Sequence, residues 1–248
     1  MEVTILASGS GGNCIAVRSG NITILIDAGI PATKIEQRLL EAGIRPDEIS
    51  AIFITHAHKD HVQGLSLANK YRIPVYSGEG EWKDIKGLDE ELINKIGIGG
   101  LFGAGDCLVI PFDVHHDAYS PKGYVIRNAQ ENEQVSICLD TGRIDDEMLA
   151  VMDGSDIYII EANHDPDMLA ASDYPDVVKE RIMSDRGHLS NQQAAEALAK
   201  LVQGRGERIY LTHLSKKCNL PALARMKVET VLRRKGFVNG EHYHLEVV

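Results

Sequence analysis

Cysteine is scarce and scattered in this chain of 248 residues: Cys14, Cys107, Cys138 and Cys218 form no CxxC pair. That suggests neither a disulfide framework nor a thiolate zinc site, and suits a reducing cytoplasm. No apolar run approaches the ~20 residues a membrane span needs. The opening Met1-Glu2-Val3-Thr4-Ile5-Leu6 has no basic region ahead of an apolar one, so it reads as a first strand and not as a signal peptide. Linkers, repeats and low-complexity segments are also missing, and the expectation is one domain over 1–248. Nor is there an excess of positive charge. The net charge is −10, which taken alone argues against a nucleic-acid partner. Its distribution says more: residues 1–199 hold 16 Lys and Arg against 32 Asp and Glu, whereas residues 200–248 hold 10 against 4. A solvated face on a terminal helix and a polyanion-binding surface both fit that basic tail.

What is present is an ordinary soluble composition, 44% apolar and 25% charged, arranged as alternating strands and helices. Strands are expected at 3–6, 14–17, 21–27, 51–54, 73–76, 107–112, 123–126, 135–139, 156–161, 208–212 and 242–248. The spacing predicts helices over 33–42, 62–71, 79–95, 174–185, 190–203 and 220–235, with Gly43 closing the first and Ser190 capping the fifth. Trp82, the single tryptophan, falls in the acidic segment 79–95 and reads as a packing residue. The class is α/β.

The densest chemistry is Thr55-His56-Ala57-His58-Lys59-Asp60-His61, directly after the apolar run Ala51-Ile52-Phe53-Ile54. A turn at a strand end aims consecutive side chains into one space, which a straight strand with its alternating faces cannot do. Neutral imidazole and carboxylate together suit zinc, manganese or iron. Other strands also end in a candidate ligand: Asp27, His115-His116, Asp140 and His213. In layered α/β proteins, sites gather at the ends of strands.

The order His-x-His-x-Asp-His resembles the signature of the metallo-β-lactamase superfamily. Within it, Ser8-Gly9-Ser10-x-Gly12-Asn13, His116-Asp117-Ala118, Glu161-Ala162-Asn163-His164-Asp165, Gly187-His188-Leu189-Ser190-Asn191 and His213-Leu214-Ser215-Lys216 resemble the YycJ (WalJ)-like branch. The chain departs from that pattern at Ala162, where Ser is expected, and at Cys218, where Asn is expected, with Asn219 retained. The resemblance implies a four-layer αββα sandwich holding two divalent ions, zinc or manganese, with iron also compatible. One ion would take His56, His58 and His116, the second Asp60, His61 and His213, with Asp140 bridging both. His115 remains an alternative to His116. Asp27 would stand behind the ligands and fix a histidine.

By the same resemblance the activity is that of a phosphodiesterase, a 5′-to-3′ DNA exonuclease using a metal-bridging hydroxide. Asp60 would orient the nucleophile while ligating metal. His188 would be the general acid and His164 a second candidate for proton transfer or phosphate contact, with Ser10, Asn13 and Lys216 on the phosphate side. The expected partner is nucleic acid, DNA ahead of RNA, with no membrane; a homo-oligomer is left open. The alternative is a hydrolase of the same fold acting on a small substrate, a thioester, lactam or small phosphodiester. A di-iron redox enzyme fits less well, because that class usually has Glu where this chain has His58. A non-catalytic nucleic-acid-binding module would keep binding after chelation, which separates it from an enzyme.

Overall fold

The computed structural model describes all residues except 98, 99, 105, 106 and 129. In chain order the elements are β1 (Glu2–Ala7), β2 (Cys14–Ser19), β3 (Ile22–Ile26), α1 (Ala32–Glu41), β4 (Ile49–Ile54), α2 (Lys59–Val62), α3 (Ser66–Tyr71), β5 (Val75–Gly78), β6 (Ile93–Ile96), β7 (Phe102–Ala104), β8 (Cys107–Asp113), β9 (Lys122–Asn128), β10 (Glu133–Cys138), α4 (Asp146–Met152), β11 (Ile157–Glu161), α5 (Pro166–Ala171), α6 (Asp176–Met183), α7 (Asn191–Leu201), β12 (Glu207–Thr212), α8 (Pro221–Arg234) and β13 (Tyr243–Val247). They fall into two compact units: residues 1–111 with 118–132, and residues 112–117 with 133–248. Among the described residues, no helix is long and apolar enough to cross a membrane.

In the first unit a sheet runs in the order β1-β2-β3-β4-β5-β6. Its first three strands are antiparallel, and β3 to β6 are parallel. The central strand β4, Ile-Ser-Ala-Ile-Phe-Ile, is buried almost throughout. That is why it reads as a continuous apolar run and not as an alternating one. Ile35 and Leu39 on one face of α1 enter the same core as Leu25, Ile52 and Ile54. Trp82 packs against that core as expected.

Two helix expectations fail here. The segment 79–95 is two short 3-10 turns, Glu79–Lys83 and Glu90–Leu92, followed by strand β6. Its Glu and Lys content favours helix. Yet Gly87 sits at a φ of 76°, and the isoleucines of β6 complete the parallel ladder on β5. The expected helix 62–71 is interrupted between α2 and α3. There Gly64 lies against the chain: a Cβ on it would come 2.2 Å from the carbonyl oxygen of Ile30.

In the second unit β10, β11, β12 and β13 form an all-parallel set. The β11 strand is buried at every residue, ending in a carboxylate, Glu161. Helix α7 begins with a capping box: Ser190 accepts from the Gln193 N–H while the Gln193 side chain accepts from the Ser190 N–H. Helix α8 starts with Pro221 in its first turn and packs on α7 and β13. The short helices α4 and α5 have no counterpart in the sequence expectations. They are started by Asp145, which accepts from Met148 N, and by Asp165, which accepts from Asp167 N and Met168 N.

Candidate metal centre

The histidine cluster of the first unit is built on the end of β4. Thr55 follows the strand, and its backbone N–H and hydroxyl both donate to Asp27, at 2.8 and 3.1 Å. Asp27 is fully buried just past β3 and takes a left-handed φ of 62°. Its other oxygen accepts from His61 Nδ1 at 2.7 Å. Burial raises the pKa of the Asp27 carboxyl, with His61 and Thr55 pulling the other way. With Nδ1 bonded to Asp27, His61 Nε2 carries the lone pair, which accepts from Asn13 Nδ2 at 3.1 Å. Asp60 Oδ2 lies 3.7 Å from the same nitrogen. His56 and His58 approach each other, Nε2 to Nδ1, at 2.9 Å, and the rings of His56 and His61 are 4.0 Å apart. Three imidazoles and a carboxylate therefore converge, two of the rings almost wholly buried. That nitrogen and oxygen donor set fits zinc, manganese or iron.

The second unit assembles its own cluster around Glu161, a carboxylate with no role among those expected from the sequence. Glu161 is fully buried. Its Oε1 accepts from His188 Nδ1 at 2.6 Å and from His213 Nδ1 at 2.9 Å. Its Oε2 accepts the backbone N–H groups of Thr141 and Leu189, at 3.1 and 3.3 Å. Burial opposes its ionisation, but the two histidines outweigh burial and hold its pKa below the usual carboxylate range. Asp140, Glu161, His188 and His213 bring their ligand atoms within 4.8 Å of one another. Glu161 has both oxygens engaged by four donors, so its geometry is that of a residue that orients the histidines. Asp140 Oδ1 also approaches His213 Nδ1, at 2.6 Å.

His116 joins this cluster. Its ring lies 5.2 Å from that of His188, and Gly187 O accepts from its Nδ1 at 3.2 Å. Burial lowers its pKa, keeping the imidazole neutral as a ligand must be. His115 turns elsewhere, bonding Asp145 at the start of α4 through Nε2 at 2.6 Å. Of the two adjacent histidines, His116 is the one at the cluster.

His188 is partly exposed and sits 5.4 Å ring to ring from His213. Burial works against its charged form, but Glu161 and Asp140 overcome burial and raise its pKa. His164 is buried, and burial pushes its pKa down to about 4. Its Nδ1 has no hydrogen-bond partner among the described residues. Ser10 is exposed on the loop after β1, whereas Asn13 is buried against His61. Lys216 is exposed just beyond His213.

Residues 23–214 match the model of the beta-lactamase superfamily domain. The chain belongs to the beta-lactamase superfamily. Within the superfamily it is 38% identical, over 252 aligned positions covering 99% of this chain and 94% of the relative, to the exodeoxyribonuclease YycJ of Bacillus anthracis. It is 37% identical, over 232 positions covering 91% and 86%, to the exodeoxyribonuclease WalJ of Streptococcus pneumoniae. Among solved structures it resembles YhfI of Bacillus subtilis, a metallo-β-lactamase fold protein, with a TM-score of 0.74, 16% identity and coverage of 99% and 95%. That likeness shows the fold, and the αββα class expected from the sequence is borne out. So is the YycJ-like branch.

Proposed function

We propose that this chain is a metal-dependent phosphodiesterase that shortens DNA from its 5′ end. The two relatives named as exodeoxyribonucleases, matched over nearly the whole chain, support the substrate class. The observation that carries the reading is His188. It is a partly exposed imidazole locked at Nδ1 to a buried carboxylate and held beside His116 and His213. A thioester or lactam hydrolase of this fold would use the same histidine and aspartate ligands; the alkoxide leaving group of a phosphodiester also needs a proton, and this residue is placed to supply one.

The ligands we assign are His56, His58, Asp60 and His61 from the first unit with His116, Asp140 and His213 from the second, following the superfamily pattern. When bound, two divalent ions supply Lewis-acid charge for the phosphoryl oxygens and make water acidic enough to attack at neutral pH. Asp60 would orient the attacking water. Asp27 fixes His61, and Glu161 fixes His213, each through Nδ1, so that Nε2 would be the nitrogen to hold an ion, which at His61 would replace the hydrogen bond from Asn13. Glu161 also favours the protonated form of the His188 ring and aims it, so that Nε2 would be the nitrogen to give a proton to the departing 3′ or 5′ oxygen. Ser10, Asn13 and Lys216 are assigned to the phosphate side, Asn13 acting through its hold on His61 and on the Gly9 N–H, and His164 is the second candidate for proton transfer or phosphate contact. All four cysteines are free and buried, which suits a reducing cytoplasm.

The test is cleavage of end-labelled duplex DNA and RNA by chelator-stripped protein reloaded with manganese or zinc. Stepwise shortening of DNA from the 5′ end is expected. No cleavage of either polymer, together with turnover of a small phosphodiester or a thioester, would transfer the site to the small-substrate alternative.

A further inference from the structure

A buried carboxylate of the first unit, Glu81, has no part in the reaction above, yet the chain goes to some length to place it. It is fully shielded from solvent. Its Oε2 accepts the Ala57 N–H at 2.8 Å, and its Oε1 accepts the Ser120 N–H at 2.5 Å. Both oxygens accept, the pattern of a carboxylate. Among the described residues no lysine or arginine pairs with it. The turn that carries it is pressed flat against residues 119–120. A Cβ on Gly78 would come 2.2 Å from Ser120 O, and one on Gly80 would come 2.8 Å from the Tyr119 Cβ. Only with those two positions empty does the Glu81 side chain reach the histidine loop.

Ala57 lies between His56 and His58, and its N–H belongs to the peptide joining it to His56. Fixing that peptide sets the direction in which the chain delivers His58, whose Nδ1 stands 2.9 Å from His56 Nε2. We infer that Glu81 is a positioning residue for the metal centre: it sets the bite between His56 and His58, and thereby the affinity for the ion they share. The inference rests on the metal-centre reading proposed above.

The test is ion binding, independent of turnover. Zinc and manganese affinities of the stripped full-length chain are measured by competition with a chromophoric chelator, for wild type, Glu81→Gln and Glu81→Asp, with thermal melts alongside. The Glu81→Gln side chain keeps the shape but turns one oxygen into an N–H donor facing another donor. It should bind one of two ions about tenfold to a hundredfold more weakly, the range seen when residues behind metal ligands are changed. Glu81→Asp keeps the charge but is too short to span both N–H groups, and should lose less. Binding of both ions by Glu81→Gln at wild-type affinity, whatever its melting temperature, overturns the inference and assigns Glu81 a structural role only. Should Glu81→Gln not fold, Glu81→Asp decides by the same criterion. A wild-type chain that takes up no ion overturns the metal-centre reading itself, so the two failures are told apart.

Discussion

Replacing Glu161 by Gln changes one atom and removes one charge at the point where four donors meet. The carboxylate accepts from His188 Nδ1, His213 Nδ1, Thr141 N and Leu189 N. An amide can accept on only one side. Its NH2 group must face either the two histidines or the two backbone N–H groups, leaving a donor against donors in a fully buried place. Removing one partner of a buried charged pair typically costs about 3–5 kcal/mol, and two lost backbone bonds would cost about 2 kcal/mol. The expected loss in the chelator-stripped protein is therefore about 3–5 kcal/mol at pH 5.5, read by urea denaturation. It should depend on pH. The pKa of His188 is raised above its ordinary 6.5 by Glu161 and Asp140 against the effect of burial, so the folded chain holds this proton more tightly than the unfolded chain. The stabilisation is complete below pH 6.5 and disappears as the pH rises through the raised value. Glu161→Gln should thus cost more at pH 5.5 than at pH 9. Equal stability of the variant and wild type at both pH values, within about 0.5 kcal/mol, would refute the reasoning that Glu161 is the charged centre of this cluster.

His164 behaves in the opposite sense. Its folded pKa of about 4 lies below the ordinary 6.5 because burial disfavours the cation, so stability present above pH 6.5 falls as the pH drops toward 4. His164→Gln, which cannot take up a proton, should flatten that limb of an acid-denaturation curve. Gly142→Ala tests the loop that carries the proposed acid. An added Cβ would sit 2.3 Å from the backbone oxygen of Ser184, and the variant should lose about 2 kcal/mol or more in a urea melt, with a backbone that cannot yield.

The histidine motif was legible because its members are neighbours in sequence and need only a turn to converge. Asp27, Asp140 and His213 were legible because each follows an apolar strand. The carboxylates that hold these ligands were harder to see. Glu161 belongs to a strand end like the others, but nothing local marks it as facing two histidines from residues 188 and 213. Glu81 was hidden in an acidic segment that reads as a helix; what fixes it is its meeting with Ala57 and Ser120, far apart in sequence. The misread helix at 79–95 has the same origin, since local propensity was overruled by pairing of β6 with β5. The basic tail resolves into mixed roles. Arg225 bonds Leu245 O and neighbours Glu229, whereas Arg233 and Arg234 are exposed.

Backbone strain follows the same map. Five residues other than glycine take positive φ among the described residues, and three of them are Asp27 (62°), Asp140 (46°) and His213 (56°). For side chains with a Cβ this conformation costs about 1–2 kcal/mol per residue. The other two, Arg72 and Asn132, lie in turns outside the clusters. A residue continuing its strand would point to one face of the sheet or the other; a left-handed residue at the strand end breaks that alternation and turns the side chain along the sheet edge. In each unit the redirected residue is then held by a dense set of bonds: Asp27 by Thr55 and His61, His213 by Glu161, Asp140 and, at its carbonyl, the side-chain amide of Asn163 at 3.1 Å. These bonds have to offset the strain as well as burial of the charges. Strain that persists only where neighbours over-determine it is the behaviour of a site selected for geometry at the expense of local stability. The two units have arrived at it by one plan, a buried carboxylate gripping Nδ1 of a histidine.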